Sequence, residues 1–476
     1  MADLAQQPVP HGPPPPTSTR DALRRTLHWR RRIFAITWLA YAGFYFVRQA
    51  FSVAKLGILD DPAVHGVLTE QVLGVIDAVY LAAYAVGQFL WGMWADRFGP
   101  RVVVVGGMIG AIAASCLMGV SSALLVFGGA MAVQGLAQSA GWAPLCKNMG
   151  NFFPVRERGR VLGVWSSNYA FGGLAAPPFL GWWAYSVFDS WHAAFLAGAA
   201  TLAVVLAAFL VFQRDTPPDA GPEAPRPADA AGRPRETPAG PAESGSAEVE
   251  PPDPKGPAAP SGPVGNTAAG RPDARRSPLA LYRETLQDRM VLTLGAAYFL
   301  LKPARYAILL WGPVIVSRQL PEVGNLGATL IPVAFGVAGV LAPVLIGWLS
   351  DTVFRSRRVP PCVLALGLLT AALILFMPLT STGSAGVMIA VLAVIGLSVY
   401  AADAMISCVA AVDFGSAGGA GTAAGLVNGC GSVGAILGGL LPGFLSGTAL
   451  FYGFAGAALL AGLLMLPQWN RVPSAA

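Results

Sequence analysis

Apolar residues occur along the chain in long runs that polar segments interrupt at regular intervals. Twelve of these runs approach or exceed the roughly 20 residues that a helix needs to cross the hydrocarbon of a bilayer. They lie at about 33–56, 72–95, 102–121, 124–147, 159–184, 190–213, 289–317, 325–350, 360–380, 385–412, 420–445 and 448–468. The pattern predicts an all-α membrane protein with twelve transmembrane helices, embedded in the lipid bilayer.

The composition agrees with this class. The chain is 54% hydrophobic and only 12% charged, whereas soluble domains carry about 25% charged residues. The net charge of +6 comes largely from short basic segments beside predicted helix ends, so it does not indicate a nucleic-acid partner. The five cysteines lack metal-ligand spacing, and no catalytic motif is present. We therefore expect no metal, no cofactor and no enzyme activity.

The polar segments predict the domain organisation. Residues 214–288 are rich in Pro, Ala and Gly, which favours a disordered cytoplasmic linker. The linker separates two six-helix bundles, predicted at 33–213 and 289–469. Residues 1–32 are expected to be a disordered basic terminus, and residues 470–476 a short tail.

Basic residues also predict the orientation. Arginines cluster before the first run and after the second, fourth and eighth runs, while the loop after the first run is acidic. Loops rich in Lys and Arg remain in the cytoplasm. Both termini and the linker are therefore expected to be cytoplasmic, in a chain that lies in the cell (inner) membrane.

The two halves repeat each other. Tyr41, Tyr45 and Arg48 follow the spacing i, i+4, i+7, and so do Tyr298, Lys302 and Arg305. This spacing places each trio on one face of a helix. Two homologous halves predict a pseudo-symmetric pair of bundles with a binding site between them, near the middle of the membrane.

Arg48 and Arg305 each lie inside an apolar run. A buried guanidinium costs about 2.5–3.5 kcal/mol on insertion scales, so it normally faces an internal cavity. Two arginines and Lys302 around one cavity favour an anion, and phosphate matches their geometry best. The alternative is a structural ion pair with Asp77 or Asp403, two intramembrane acids that can also act as proton carriers.

The loop after the second run, GMWADRFGPR at 92–101, resembles the signature loop of the major facilitator superfamily. Gly92 permits close helix packing, Asp96 suits a helix N-terminus, and Arg97 and Arg101 can pair with acids across the bundle interface. A weaker second copy contains Asp351. The resemblance implies the major facilitator fold and a gating role for this loop.

A narrower resemblance covers most of both halves. It is carried by YAGFYFVRQAFSVA (41–54), GLAQSAGWAPLCKNM (135–149), WSSNYAFGG (165–173), DSWHAAF (189–195), RYAILLW (305–311) and GTAAGL (421–426). These segments resemble the organophosphate:phosphate antiporter family, which includes glycerol-3-phosphate and hexose-6-phosphate transporters and the glucose-6-phosphate translocase. The resemblance implies exchange of a phosphorylated metabolite for inorganic phosphate by alternating access. It also implies that Arg48 and Arg305 hold the phosphate and that a set of aromatic residues belongs to the cavity: Tyr41, Tyr45, Tyr84, Trp142, Trp165 and Tyr306.

The sequence departs from the glycerol-3-phosphate transporter at two cavity positions, where Gln88 replaces a lysine and Tyr169 replaces a histidine. Lys302 adds a cation one turn before Arg305. Glycerol 3-phosphate is therefore not the obvious substrate. Two other readings stay open: a sensor of external hexose phosphate, and a proton-coupled facilitator that uses Asp77 or Asp403. We expect a monomer.

Overall fold

The apolar runs of the first half form seven α-helices in the part of the chain that is described. The structure is a computed structural model, and it describes residues 19–64, 66–153, 161–162, 164–165, 167–216, 287–355, 357–410, 420–445 and 447–471. The helices are α1 (Thr19–Asp60), α2 (Glu70–Phe98), α3 (Pro100–Val120), α4 (Leu124–Ser139), α5 (Trp142–Phe152), α6 (Ser167–Trp182) and α7 (His192–Phe212).

The described ranges of the second half contain seven more helices. They are α8 (Arg289–Gln319), α9 (Gly324–Leu330), α10 (Val333–Thr352), α11 (Val359–Thr380), α12 (Ala385–Ala404), α13 (Ala420–Phe444) and α14 (Gly447–Met465). The fourth and eighth predicted spans are each divided into two helices, α4–α5 and α9–α10. Proline and glycine lie at these breaks, where a continuous ladder of backbone hydrogen bonds is hardest to maintain.

Two spans contain a π-helical segment. Trp183–Val187 continues α6, and Met405–Ala410 continues α12 directly after Ala404. π-Helical turns are rare and often lie at functional sites. The second of them begins two residues after Asp403, so it adjoins an acid that the sequence singled out.

Ten helical segments within the described ranges are long and apolar enough to cross a membrane. The first and fifth predicted spans are not among the ten. Part of the fifth span lies outside the described residues. The chain is thus a multi-pass integral membrane protein.

Helix α1 begins at Thr19, earlier than the predicted start at 33. Its basic first part is held by the ends of other helices. Arg30 Nε donates to the carbonyl of Phe152, and Arg32 Nε donates to that of Phe212, each at 3.0 Å. The last carbonyls of a helix lack partners within the helix and attract cations, which is why residues 19–32 differ from the disordered terminus that was expected. The linker at 217–286 lies outside the described residues.

The two halves meet through small residues. A Cβ on Gly74 of α2 would lie 2.8 Å from the carbonyl oxygen of Leu440, and one on Gly443 of α13 would lie 2.5 Å from that of Glu70. Only glycine permits the backbones of α2 and α13 to approach this closely, as is common between membrane helices. The approach brings α2 of the first half against α13 of the second.

Candidate functional site

Arg48 is buried in the first half of the molecule with only 8% of its surface exposed. Its guanidinium carbon lies 4.6 Å from the ring centre of Tyr45 and 4.8 Å from that of Tyr84. Its Nε donates to Gln138 Oε1 at 3.0 Å, and the Tyr80 hydroxyl donates to the same oxygen at 2.8 Å. Its Nη2 is buried without a hydrogen-bond partner among the described residues. The guanidinium is therefore fixed along one edge and leaves a donor for a ligand.

Arg305 in α8 has a different environment, because it lies beside a carboxylate. Its Nη1 lies 2.8 Å from Asp403 Oδ2, and Lys302 Nζ lies 3.6 Å from Asp403 Oδ1. The Tyr298 hydroxyl donates to Oδ1 at 2.9 Å. We call Tyr298, Lys302, Arg305 and Asp403 the Asp403 cluster. The pairing weighed as an alternative from the sequence is thus present at Arg305, whereas no described carboxylate lies within 4.0 Å of the Arg48 nitrogens.

Arg305 lines a pocket between the halves, and Arg48 contacts Tyr45, which lines the same pocket. A pocket between the halves is lined by Tyr45 and Tyr169 on one side and by Arg305 and Tyr400 on the other. Because Arg305 Nε is buried without a described partner, as Arg48 Nη2 is, each half contains an N–H group that can donate a hydrogen bond to an anion.

The predicted aromatic residues form a connected wall on the side of Arg48. The ring centres of Tyr41 and Trp142 are 5.1 Å apart, those of Trp142 and Trp165 are 5.3 Å apart, and those of Trp142 and Tyr169 are 6.3 Å apart. Trp165 is fully buried, and its Nε1 donates to Thr37 Oγ1 at 3.0 Å. Trp165 thus packs against the other aromatic rings from a buried position, whereas Tyr169 lines the pocket.

Asp77 forms an ion pair with a residue other than the two arginines. It is fully buried, and its Oδ2 lies 2.5 Å from Lys55 Nζ, which is fully buried too. Lys55 Nζ also donates to the Leu310 carbonyl in the other half at 2.9 Å. The sequence analysis missed Lys55, although its position seven residues after Arg48 places it on the same helix face.

Further contacts between the halves lie at the end of the molecule where α1 and α8 end. Arg318 forms an ion pair with Glu70, and Ser52 Oγ donates to the Leu309 carbonyl at 3.3 Å. At the same end, Trp191 Nε1 donates to Asp61 at 2.9 Å, and this bond holds the pKa of the Asp61 carboxyl below its usual range. The contacts of Arg318 and Ser52 join the two halves there, whereas the Trp191–Asp61 bond lies within the first half.

The signature loop contacts its own half. Arg101 Nη2 donates to the Leu210 carbonyl at 2.6 Å, and Arg97 lies over the Phe98 ring at 5.3 Å. Asp351 pairs with Arg358 at 2.7 Å, again within one half. These contacts differ from the predicted pairing with acids across the interface, because the free carbonyls at the end of α7 already satisfy Arg101. The side chain of Asp96 and the surroundings of Gly92 lie outside the described residues.

Comparison with known proteins agrees with the fold and its apolar helices. The profile of the Major Facilitator Superfamily matches residues 33–439. The chain therefore belongs to the Major Facilitator Superfamily, as predicted, and it is a membrane transporter and not an enzyme.

Individual relatives are more distant. A "Probable hexose phosphate transport protein" of Chlamydia trachomatis is 27% identical over 455 residues, covering 93% of this chain and 91% of that protein. The "Glucose-6-phosphate exchanger SLC37A2" of Bos taurus is 24% identical, covering 94% of this chain and 95% of that protein. A crystal structure of the peptide transporter POT in complex with sulfate has a TM-score of 0.69 at 15% identity, covering 93% of this chain and 95% of that one. The structural likeness concerns the fold.

Proposed function

We propose that the chain exchanges a phosphorylated metabolite for inorganic phosphate by alternating access. One observation carries the proposal: each half contributes a buried arginine that has an N–H donor without a described partner, and Arg305 lines the pocket between the halves while Arg48 lies over Tyr45, which lines it too. The relatives support the class of cargo, since one is named for hexose phosphate and another for glucose 6-phosphate exchange.

In this mechanism one phosphate group binds both halves. Arg48 Nη2 donates to a phosphate oxygen while Gln138 keeps the guanidinium in place. Arg305 donates to another oxygen, in place of part of its contact with Asp403. Charge-assisted bonds of this kind are roughly twice as strong as neutral ones. An anion held from both sides draws the bundles together, so the cargo itself lowers the barrier to switching.

When no phosphate is bound, Asp403 supplies a negative charge beside Arg305. Two unpaired arginines would repel each other, but Arg305 already lies beside a carboxylate. In the empty site, the Asp403 carboxylate therefore takes the place of phosphate beside Arg305, and no described carboxylate does so beside Arg48. Switching without cargo is slow because Arg48 would have to move without an anion beside it, and this predicts exchange rather than net transport.

The contacts at the ends of α1 and α8 form the closed gate in this mechanism. Lys55 and Ser52 bind carbonyls of α8, and Glu70 pairs with Arg318. All three links must break when the cavity opens on that side. With both termini in the cytoplasm, as proposed from the basic loops, this gate faces the outside of the cell membrane. The chain works as a monomer, since each site is built from one chain.

The experiment that tests the proposal is exchange of labelled phosphate in proteoliposomes. The purified chain is loaded with labelled phosphate and given glucose 6-phosphate, glycerol 3-phosphate or 3-phosphoglycerate outside. We expect efflux with at least one compound, little efflux without any, and loss of efflux in Arg305→Ala.

Arg289→Ala is the matched control, because Arg289 is an exposed arginine on the same helix. Its exchange should equal that of the unaltered protein. Folded protein that moves no phosphate under any condition would contradict the proposal. Binding without exchange would favour a sensor, and uptake that a pH gradient drives without phosphate would favour a proton-coupled facilitator.

A further inference from the structure

One carboxylate lies inside the proposed phosphate site. Asp403 contacts both cations of α8, at 2.8 Å for Arg305 and 3.6 Å for Lys302. Its side chain is 15% exposed and those of its two cationic partners are 13% exposed, and one of these partners, Arg305, lines the pocket between the halves. A permanent anion is unexpected in a site that must attract another anion, because like charges repel at close range.

The net charge of the site explains why a carboxylate can lie in it. Arg48, Lys302 and Arg305 supply three positive charges, and Asp403 removes one, which leaves two. The other acid of the membrane interior that is described in the first half, Asp77, is neutralised by Lys55. A phosphate monoester carries about 1.5 to 2 negative charges at neutral pH. The two net positive charges of the described site therefore match the charge of one phosphate group and leave none for a second anionic group.

We propose that Asp403 is a specificity-determining residue that selects phosphate monoesters with an uncharged carbon part. Sugar phosphates fit this class, and phosphorylated acids such as 3-phosphoglycerate do not. The inference rests on the proposed function and narrows its substrate. Asp403 acts through Lys302 and Arg305, whose charge it partly neutralises, and through repulsion of a second carboxylate.

The local geometry favours this role over a purely structural one. Asp403 is held from three directions, by Arg305, Lys302 and the Tyr298 hydroxyl. Its position is therefore fixed, and its field at the cavity is constant. It also lies two residues before the π-helical segment Met405–Ala410, and π-helical turns often lie at functional sites. Lys302 is bound to the same carboxylate. Removal of the Asp403 charge therefore raises the net charge of the site by one positive charge.

The test compares two competitors of labelled-phosphate exchange in proteoliposomes, glucose 6-phosphate and 3-phosphoglycerate. The measured quantity is the ratio of their half-inhibiting concentrations. We expect the unaltered protein to favour glucose 6-phosphate and Asp403→Asn to move the ratio toward 3-phosphoglycerate by about tenfold or more, because juxtaposed like charges cost several kcal/mol and 1.4 kcal/mol is tenfold.

A second variant separates charge from structure. Lys302→Gln combined with Asp403→Asn again leaves two net positive charges, so the ratio should return toward that of the unaltered protein. If Asp403→Asn is folded but does not transport, the shift in unfolding temperature that each compound produces gives the same ratio.

The outcomes distinguish the two proposals. A ratio in Asp403→Asn equal to that of the unaltered protein overturns the role of Asp403 and leaves phosphate exchange intact. A shifted ratio that the double variant fails to reverse also overturns it, since the effect would then not follow charge. If the unaltered protein neither exchanges phosphate nor responds to either compound, the proposed function fails and this inference fails with it.

Discussion

Two buried ion-paired groups differ in their access to water: the Lys55–Asp77 pair, which joins α1 to α2, and the Asp403 cluster, which joins α8 to α12. The Lys55–Asp77 pair has no exposed surface on either side chain. In the Asp403 cluster, Lys302, Arg305 and Asp403 keep 13–15% of their side-chain surface exposed, and Arg305 lines the pocket between the halves. In each group, one cation lies seven residues after a residue from one of the two repeated trios, on the same helix: Lys55 follows Arg48, and Arg305 follows Tyr298. Sequence spacing alone therefore does not distinguish the two groups.

The difference in access assigns the groups different physical roles. A dry pair cannot exchange a partner for a ligand, and removal of one member leaves a bare charge in a medium of low dielectric constant. A pair at a cavity can exchange contacts with an incoming anion. We therefore interpret Lys55–Asp77 as part of the closed gate and the Asp403 cluster as part of the binding site.

The largest effect on stability is expected at the dry pair. Lys55→Met should destabilise the protein by about 3–5 kcal/mol, because Asp77 is left buried and unpaired. The combined change Lys55→Met and Asp77→Leu should recover most of this loss, since apolar residues replace both charges. Thermal unfolding in detergent, followed by tryptophan fluorescence, measures both. Equal stability of Lys55→Met and the unaltered protein would show that the pair is hydrated.

Phosphate should stabilise the protein through the cavity and not through the dry pair. At a phosphate concentration 100 times the dissociation constant, linkage gives about 2.7 kcal/mol of stabilisation. Arg48→Ala should lose this effect, whereas the combined Lys55→Met and Asp77→Leu variant should keep it. The measurement is the unfolding temperature with and without phosphate, at constant ionic strength. Undiminished protection of Arg48→Ala would place phosphate elsewhere.

A smaller effect is expected where α13 packs on Asp77. A Cβ on Gly439 would lie 2.9 Å from the Asp77 Cβ, so Gly439→Ala should cost about 1–3 kcal/mol through overpacking. Gly429 lies on the same helix, and its added Cβ would meet nothing within 4 Å. Gly429→Ala should therefore be neutral or slightly stabilising. If both variants unfold at the same temperature, the two halves do not pack this closely at Asp77.

The smallest effect is expected at the exposed pair of the gate. The side chains of Arg318 and Glu70 are 33% and 36% exposed, and exposed ion pairs contribute about 0–1 kcal/mol. Glu70→Gln should change the unfolding temperature little, and added salt should reduce the difference further. A loss comparable to that of Lys55→Met would contradict the distinction between dry and hydrated pairs.

The fold was predictable because each span must satisfy its backbone internally and present an apolar surface to lipid. The paired trios around Arg48 and Arg305 also indicated which helices face the cavity. The sequence could not show that Asp403 lies beside Arg305, because that contact depends on how α8 packs against α12. Whether Asp403 partners a cation or carries a proton is decided by this packing and not by its own run of residues.

Lys55 and Arg101 are two further residues whose partners could not be predicted from the sequence. Lys55 lies near the end of its predicted span, where a lysine usually extends toward the membrane surface. The close packing of the two halves around Leu310 instead encloses it. Arg101 follows a known loop motif, but its partners are carbonyls at the end of α7, far along the chain. Local patterns predict which residues are unusual, and the partners of those residues depend on tertiary packing.

In the proposed mechanism, one phosphate is held by arginines from both halves. The most direct measurement of this is the dissociation constant of inorganic phosphate, by calorimetry in detergent, for the unaltered protein, Arg48→Lys, Arg305→Lys and the control Arg289→Lys. Lysine keeps the charge but lacks the planar fork. Because a hydrogen bond to a charged group contributes about 1.5–3 kcal/mol, we predict that both cavity variants weaken binding by about tenfold to a hundredfold and that the control does not. An unchanged dissociation constant in either Arg48→Lys or Arg305→Lys would contradict a phosphate shared between the halves.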